Sequence, residues 1–290
     1  MNWQIALQLG RVSNLPTVWT NALAAIVLVG ASAGDGRTVL LMIAMSLYYV
    51  GGMYLNDAFD ADIDAVERPE RPIPSGAVAR STVYAAGFGM LGLGVVLVQA
   101  AAMMSAADLG IWPLASGLAL GAMIVLYNWH HKANPLSPFV MGLCRVLVYT
   151  TCGLCFVAVL PGALWIGALV LLCYLIGLTY VAKQENFGRV ENLWPLAFLA
   201  APIIYGLAHV GTAPMTLLFV AGLAAWIGYA IRLVQRRQPG DIPRAVVSLI
   251  AGISLLDALL IASAGHVMTA LVAVIGFALT LFLQRYVSGT

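Results

Sequence analysis

The sequence predicts an all-α, polytopic transmembrane helix bundle with nine to ten spanning helices, in a single domain over residues 1–290. Three observations predict it. The chain is 62% hydrophobic and only 9% charged, against about 25% charged in a soluble domain. Its apolar residues fall in continuous runs close to the ~20 residues that cross a bilayer as a helix. Such runs lack the alternation of a membrane barrel. Finally, the basic residues between the runs are one-sided. Of the fourteen Lys and Arg, Arg37 alone falls on one side, Arg145 lies within a run, and the other twelve share the opposite side. Short loops rich in Lys and Arg stay in the cytoplasm, so both termini are expected there.

Ten runs carry this reading, at about 15–33, 38–56, 79–104, 111–129, 138–160, 163–182, 193–210, 214–234, 245–264 and 267–285. The opening MNWQIALQLGR lacks a basic n-region, so no cleavable signal peptide is expected. A net charge of +2, with basic residues scattered at run ends, gives no footprint for nucleic acid. The expected location is the bacterial inner membrane, among lipids.

The second run leads into a polar island, Asn56 to Gly76, NDAFDADIDAVERPERPIPSG. It holds six of the twelve acids, with Arg68 and Arg71 just behind them. Asn56, Asp60 and Asp64 are spaced four apart, so on a helix they stack along one face with Asp57 beside them. Asp62 lies off that stripe, about 200° around from Asp60. Hard oxygen donors repeated each turn suit Mg²⁺, whose shell is usually completed by substrate phosphates.

In the third run, Gly87-x-Gly89-x-x-Gly92 has no preceding strand, so it reads as close helix packing rather than a phosphate cradle. Gly117 and Gly121 in the fourth run read the same way. That run ends in Tyr127-Asn128-Trp129-His130-His131-Lys132. Adjacent histidines diverge by about 100° and make poor joint ligands for one metal. Lys132 reads either as a phosphate contact or as a positive-inside marker.

Arg145 falls well inside the fifth run, where a charge faces a cavity or partner unless it snorkels to the surface. Asp257, in the ninth run, is the other intramembrane charge. Cys152 and Cys155 form a CxxC inside an apolar run with no second pair, so they read as reduced, buried thiols. The sixth run ends in Tyr180-Val-Ala-Lys183-Gln184-Glu185-Asn186-Phe-Gly188-Arg189.

The order N-D-x-x-D-x-x-x-D followed by R-P-x-R-P-I-P-S-G resembles the first motif of the UbiA superfamily of intramembrane prenyltransferases. Within it, the chain resembles the UbiA-like branch of ebo metabolite clusters. The resemblance implies that Asn56, Asp57, Asp60 and Asp64 face a Mg²⁺–diphosphate site and that Arg68 and Arg71 hold the diphosphate. It adds Arg11 and Asn14, ahead of the first run, as diphosphate contacts. It also makes Arg145 a site residue at the acceptor or diphosphate. The implied reaction transfers a prenyl group from a prenyl diphosphate to a small aromatic or lipidic acceptor. In the superfamily a second acidic motif follows the sixth helix and binds a second Mg²⁺. Here Glu185 is the only acid between Tyr180 and Arg189, and Lys183, with Lys132 and Arg189, offers fixed positive charge in its place. That departure keeps a second expectation open: a non-catalytic relative that binds, scaffolds or transports an isoprenoid or metabolite.

Overall fold

The computed structural model describes residues 3–131, 134, 136–187, 194–287 and 289, with side chains for all of these except 183–187. The described residues form helices and turns, with no strand among them. A short α1 (Trp3–Leu9) and a 3₁₀ turn at Val12–Asn14 lead into α2 (Leu15–Leu28) and α3 (Gly36–Glu67). Then come α4 (Arg80–Met103), α5 (Trp112–His130), α6 (Ser137–Leu154) and α7 (Gly162–Phe187). A 3₁₀ segment at Trp194–Ala200 precedes α8 (Ala201–His209), and α9 (Thr216–Arg236), α10 (Asp241–Ser263) and α11 (Val267–Leu283) complete the bundle.

Every apolar run of the sequence coincides with a helical segment, but the ends differ for identifiable reasons. α2 stops at Leu28 rather than near residue 33, because Gly30 turns left-handed (φ 77°) and Ala31 N–H closes back on Ile26 O at 3.0 Å. That is a glycine stop that satisfies orphan carbonyls. α3 instead continues eleven residues past the expected end at 56, to Glu67. It ends at Arg68 because the residue before a proline is driven out of the helical region, and Arg68 has φ −145°. The run at 193–210 is split into a 3₁₀ segment and α8, with Pro195 and Pro202 at their starts.

α10 is apolar on all sides and buried along nearly its whole length, which makes it the axis of the bundle. α2, α7, α9 and α11 pack around it. α3 packs closely on α4: a Cβ on Gly87 would come within 2.8 Å of Leu55. Gly89 and Gly92 meet nothing, so only the first glycine of that triplet serves packing. The outer helices expose large apolar side chains, among them Phe88, Leu93, Leu218, Met268 and Ile275. So much exposed apolar surface fits a protein solvated by lipid. Among the described residues, six helices are long and apolar enough to cross a membrane, alongside shorter apolar segments at Val12–Leu28, Trp194–His209 and Val267–Leu283.

The bundle has two chemically distinct ends. At one, Arg37 pairs with Asp35 at 2.8 Å, donates to Cys155 O at 3.0 Å and lies over the Phe156 ring. At the other, the acidic turns of α3 meet Arg11, Arg71 and the end of α5.

Candidate functional site

Because α3 does not stop where its apolar run stops, the polar island forms its last three turns. Asn56, Asp57, Asp60 and Asp64 are all buried, at 8, 7, 7 and 3% exposure. Asp62, off the stripe, has an 82% exposed side chain and is held from outside by Arg80, whose Nη1 lies 3.0 Å from each carboxylate oxygen. The residues after Arg68 curl back in a tight turn, and this places the Arg71 guanidinium 2.7 Å from Asp64 Oδ2 and 3.5 Å from Asp57 Oδ1.

Arg11 closes the same face from the other side. Its Nη2 donates to Asp57 Oδ1 at 3.1 Å and to Asn56 Oδ1 at 3.3 Å. The Arg11 backbone is left-handed (φ 41°), a conformation that L-residues rarely adopt and that surrounding contacts must hold. One such contact is the Tyr49 hydroxyl, which donates to Arg11 O at 3.3 Å.

The end of α5 forms the third wall. Asn128 accepts from Asn56 Nδ2 at 3.2 Å and donates to Gly52 O at 2.9 Å. This locks the orientation of the Asn56 amide, leaving its oxygen toward Arg11. His131 Nε2 lies 3.4 Å from Asp60 Oδ2, and its ring stacks on Tyr127. His130 points away and is exposed, as the turn between neighbours on a helix requires.

Beneath Asn128 an apolar cavity of about 90 Å³ opens between α3, α5 and α6. Tyr48, Tyr49, Tyr127, Met53, Met141 and Arg145 are among its walls. Arg145 donates to Asn21 Oδ1 at 2.6 Å, Thr17 Oγ1 at 3.1 Å and Thr17 O at 3.4 Å, and it lies over the Tyr49 ring. Behind Asn21 sits Asp257, fully buried in α10. Its carboxylate accepts from Thr20 Oγ1 at 2.6 Å, from Tyr149 OH and twice from Asn21 Nδ2, at 2.8 and 3.0 Å.

Of the residues that the sequence singles out, Asn56, Asp57, Asp60, Asp64, Arg71 and Arg11 converge on one face, and Arg145 lines the cavity below it. Asn14 does not join them. Its amide donates to Gly289 O at 2.9 Å and accepts from Gln284 at 3.1 Å. These contacts tie the entry of α2 to the C-terminal segment. Arg68 caps α3 with its backbone and is half-buried. Lys132 and Arg189 lie outside the described residues. Lys183 and Glu185 belong to α7, which runs to Phe187, past the expected end at 182, and their side chains are likewise outside the description.

Sequence reasoning missed Asn128, His131 and Asn21. An asparagine inside an apolar run was the available signal for the first and last. His131 was weighed only as a joint ligand with His130, not as a lone partner of an acid.

The oxygens of Asn56, Asp60 and Asp64 are hard donors on successive turns, a set that fits a divalent cation. Among the described residues no three His, Cys, Asp or Glu side chains form a ready-made chelate. A Mg²⁺ ion held by one or two carboxylates and completed by substrate phosphates requires none.

Residues 15–250 match the profile of the UbiA prenyltransferase family. The chain is 30% identical over 187 residues to digeranylgeranylglyceryl phosphate synthase of Methanopyrus kandleri, covering 62% of each protein. It is 28% identical over 265 residues to the chloroplastic chlorophyll synthase of Arabidopsis thaliana, covering 80% of this chain and 63% of that one. The matches thus span somewhat less than two thirds of these relatives' length. The fold resembles that of a UbiA homolog from Aeropyrum pernix, with a TM-score of 0.67 at 16% identity over 86% of this chain and 96% of that one. With the family profile spanning most of its length, this protein belongs to the UbiA prenyltransferase family.

Proposed function

We propose that this protein is an intramembrane prenyltransferase that moves a prenyl group from a prenyl diphosphate to a small aromatic or lipidic acceptor, with Mg²⁺ as cofactor. The observation that carries the reading is the buried stripe of Asn56, Asp60 and Asp64, flanked by Arg11 and Arg71 and opening onto an apolar, tyrosine-lined cavity.

Asp60 and Asp64, with Asn56, would hold Mg²⁺, whose role is to neutralise charge growing on the departing diphosphate. Arg11 and Arg71, with Arg68, Lys132, Lys183 and Arg189, supply fixed positive charge for the same oxygens. Glu185 is the remaining oxygen donor for a second ion. The bond from the prenyl C1 to the diphosphate oxygen breaks, and its electron pair leaves with the diphosphate. A new bond forms from C1 to the acceptor, which loses a proton to the released diphosphate. Tyr48, Tyr49 and Tyr127 line the adjoining cavity and keep water from the allylic cation. Arg145 orients the acceptor.

The same reading treats residues 1–290 as one unit of nine to ten spans in a bacterial inner membrane, with both termini cytoplasmic. The charge asymmetry of the loops supports that orientation. One observation favours a second reading. Glu185 stands alone where the superfamily has a second acidic motif, which suits a protein that binds an isoprenoid or metabolite without turning it over.

Incubating purified protein with prenyl diphosphates of several lengths, Mg²⁺ and an acceptor panel separates the two. Acceptor-dependent diphosphate release supports transfer. Tight binding with no release supports the second reading.

A further inference from the structure

The last turns of α3 and α5 meet in two rungs. Asn56 Nδ2 donates to Asn128 Oδ1 at 3.2 Å, and one turn further along each helix His131 Nε2 lies 3.4 Å from Asp60 Oδ2. Residues three or four apart share a helix face, so both steps stay on the facing sides. The register that locks the Asn56 amide therefore also brings an imidazole to the acidic stripe. Both members of the second rung are largely buried, with 16% of the His131 side chain and 9% of the Asp60 side chain exposed.

Two contacts fix how that imidazole is presented. Its Nδ1 lies 3.3 Å from Asn128 O. A carbonyl oxygen only accepts, so Nδ1 carries the hydrogen, and the neutral ring has its lone pair on Nε2, the atom beside Asp60. The Tyr127 ring stacks on the imidazole, with centroids 5.1 Å apart and 24° between planes, and steadies the plane of the ring. A histidine that ligates a metal through one nitrogen almost always gives the hydrogen of the other to a carbonyl, a carboxylate or water, which fixes its tautomer and orientation. His131 has that support already in place.

The gap between Nε2 and Oδ2 agrees with such a role. A charge-assisted N–H···O bond is about 2.7–2.9 Å long, and 3.4 Å is well beyond it. Two donor atoms that share one ion at about 2.1 Å, with about 90–110° between them, stand about 3.0–3.4 Å apart. The separation is the bite of a chelate, one oxygen and one nitrogen, that phosphate oxygens would complete.

We infer that His131 Nε2 is a ligand, together with Asp60, of the divalent cation at the α3 stripe, and that it tilts the site from Mg²⁺ toward first-row transition ions such as Mn²⁺ and Co²⁺. Mg²⁺ takes oxygen donors and gives up its waters reluctantly, whereas imidazole is a donor suited to the transition series. The inference rests on the reading that this stripe holds a cation with a diphosphate, and it adds to that reading a nitrogen ligand from the end of α5.

The test loads full-length protein in nanodiscs with Mn²⁺ and geranyl diphosphate, a ligand that contains no nitrogen. Pulsed EPR reads the nuclei bonded to the ion. It should show an imidazole nitrogen whose frequencies change when histidine is ¹⁵N-labelled. That signal should vanish in His131→Gln, which sets an amide oxygen near the place of Nε2, and persist in His130→Gln, whose ring is exposed. The signal of free Mn²⁺, followed while Mg²⁺ is added, gives the preference. Displacing Mn²⁺ from His131→Gln should take about tenfold less Mg²⁺ than displacing it from the unaltered protein. Mn²⁺ that binds in an Asp60-dependent way with no histidine nitrogen on it overturns the inference and leaves the stripe reading standing. A nitrogen signal that persists in His131→Gln, or an unchanged Mg²⁺ requirement, overturns it as well. Should His131→Gln fail to fold, the ¹⁵N comparison in the unaltered protein decides. Mn²⁺ binding that survives Asp60→Ala sinks both readings.

Discussion

Two buried acidic regions share this bundle and are built in opposite ways. At the polar end, carboxylates come from one helix at one-turn intervals, and arginines from the loops on either side reach in to them. At Asp257, donors come from α2 and α6 to converge on a single carboxylate from α10. The first arrangement repeats oxygens along a line, which suits a ligand brought from outside. The second surrounds one group until its acceptor capacity is used. A membrane protein tolerates buried charge in either form, and on the proposed reading the chemistry belongs to the first. The difference teaches that burial and charge alone do not mark a site; the direction in which the partners run does.

The comparison breaks most readily at the stripe. Asp60→Ala and Asp64→Ala should each reduce Mg²⁺-dependent binding of geranyl diphosphate by roughly a hundredfold or more. Asp62→Ala, facing solvent with Arg80, should change it by less than about twofold. A Mg²⁺ titration of binding checks all three, and equal damage from Asp62→Ala would undo the helical-stripe argument.

The next effect is on stability rather than binding. Tyr149→Phe removes one donor from Asp257 and should cost about 1–3 kcal/mol, read as a lower unfolding temperature in detergent. Geranyl diphosphate binding should be unchanged. Loss of that binding would mean the two regions are not separable.

A smaller effect concerns the side chains after the sixth run. Lys183→Ala should weaken diphosphate binding by about tenfold and more than Glu185→Ala does, because a fixed cation stands where a carboxylate would otherwise recruit metal. If Glu185→Ala removes a second Mg²⁺-binding phase while Lys183→Ala is neutral, an ordinary two-ion site is present.

The smallest effect lies at the far end. The Arg37 side chain bonded to Asp35 draws its carboxyl from 3.8 down to about 2. A folded value below the unfolded one gives stability that is present above pH 3.8 and lost as pH falls toward 2. Thermal unfolding of the protein and of Asp35→Asn should therefore differ slightly at pH 5 and converge near pH 2. Because the pair is only part-buried and still reached by solvent, the difference is modest.

How much was legible in the sequence follows the same division. The stripe could be read because helical spacing is local: Asn56, Asp60 and Asp64 declare their face without knowledge of the rest. The apolar runs located the helices but not their ends. Apolarity marks what a helix packs against or dissolves in, not where its backbone hydrogen bonding stops, and α3 outlasts its apolar run, remaining helical to Glu67. The reach of Arg11 to Asp57 could be suspected only through the family resemblance. The partners of Asp257 were illegible, because Thr20 and Asn21 lie more than 230 residues away in sequence. The family resemblance alone pointed Asn14 to the diphosphate, and the contact of its amide with a C-terminal segment is hidden by sequence distance.

The account turns on the claim that the α3 stripe, and not the deep carboxylate, receives a metal with its diphosphate. Crystals grown with Mn²⁺ in place of Mg²⁺ and a non-hydrolysable prenyl diphosphate analogue test it directly through the anomalous signal of the metal. The predicted result is a peak about 2.0–2.2 Å from oxygens of Asp60 or Asp64, absent without the analogue, and no peak at Asp257. A metal bound away from α3, or an analogue bound with no metal beside the stripe, would contradict it.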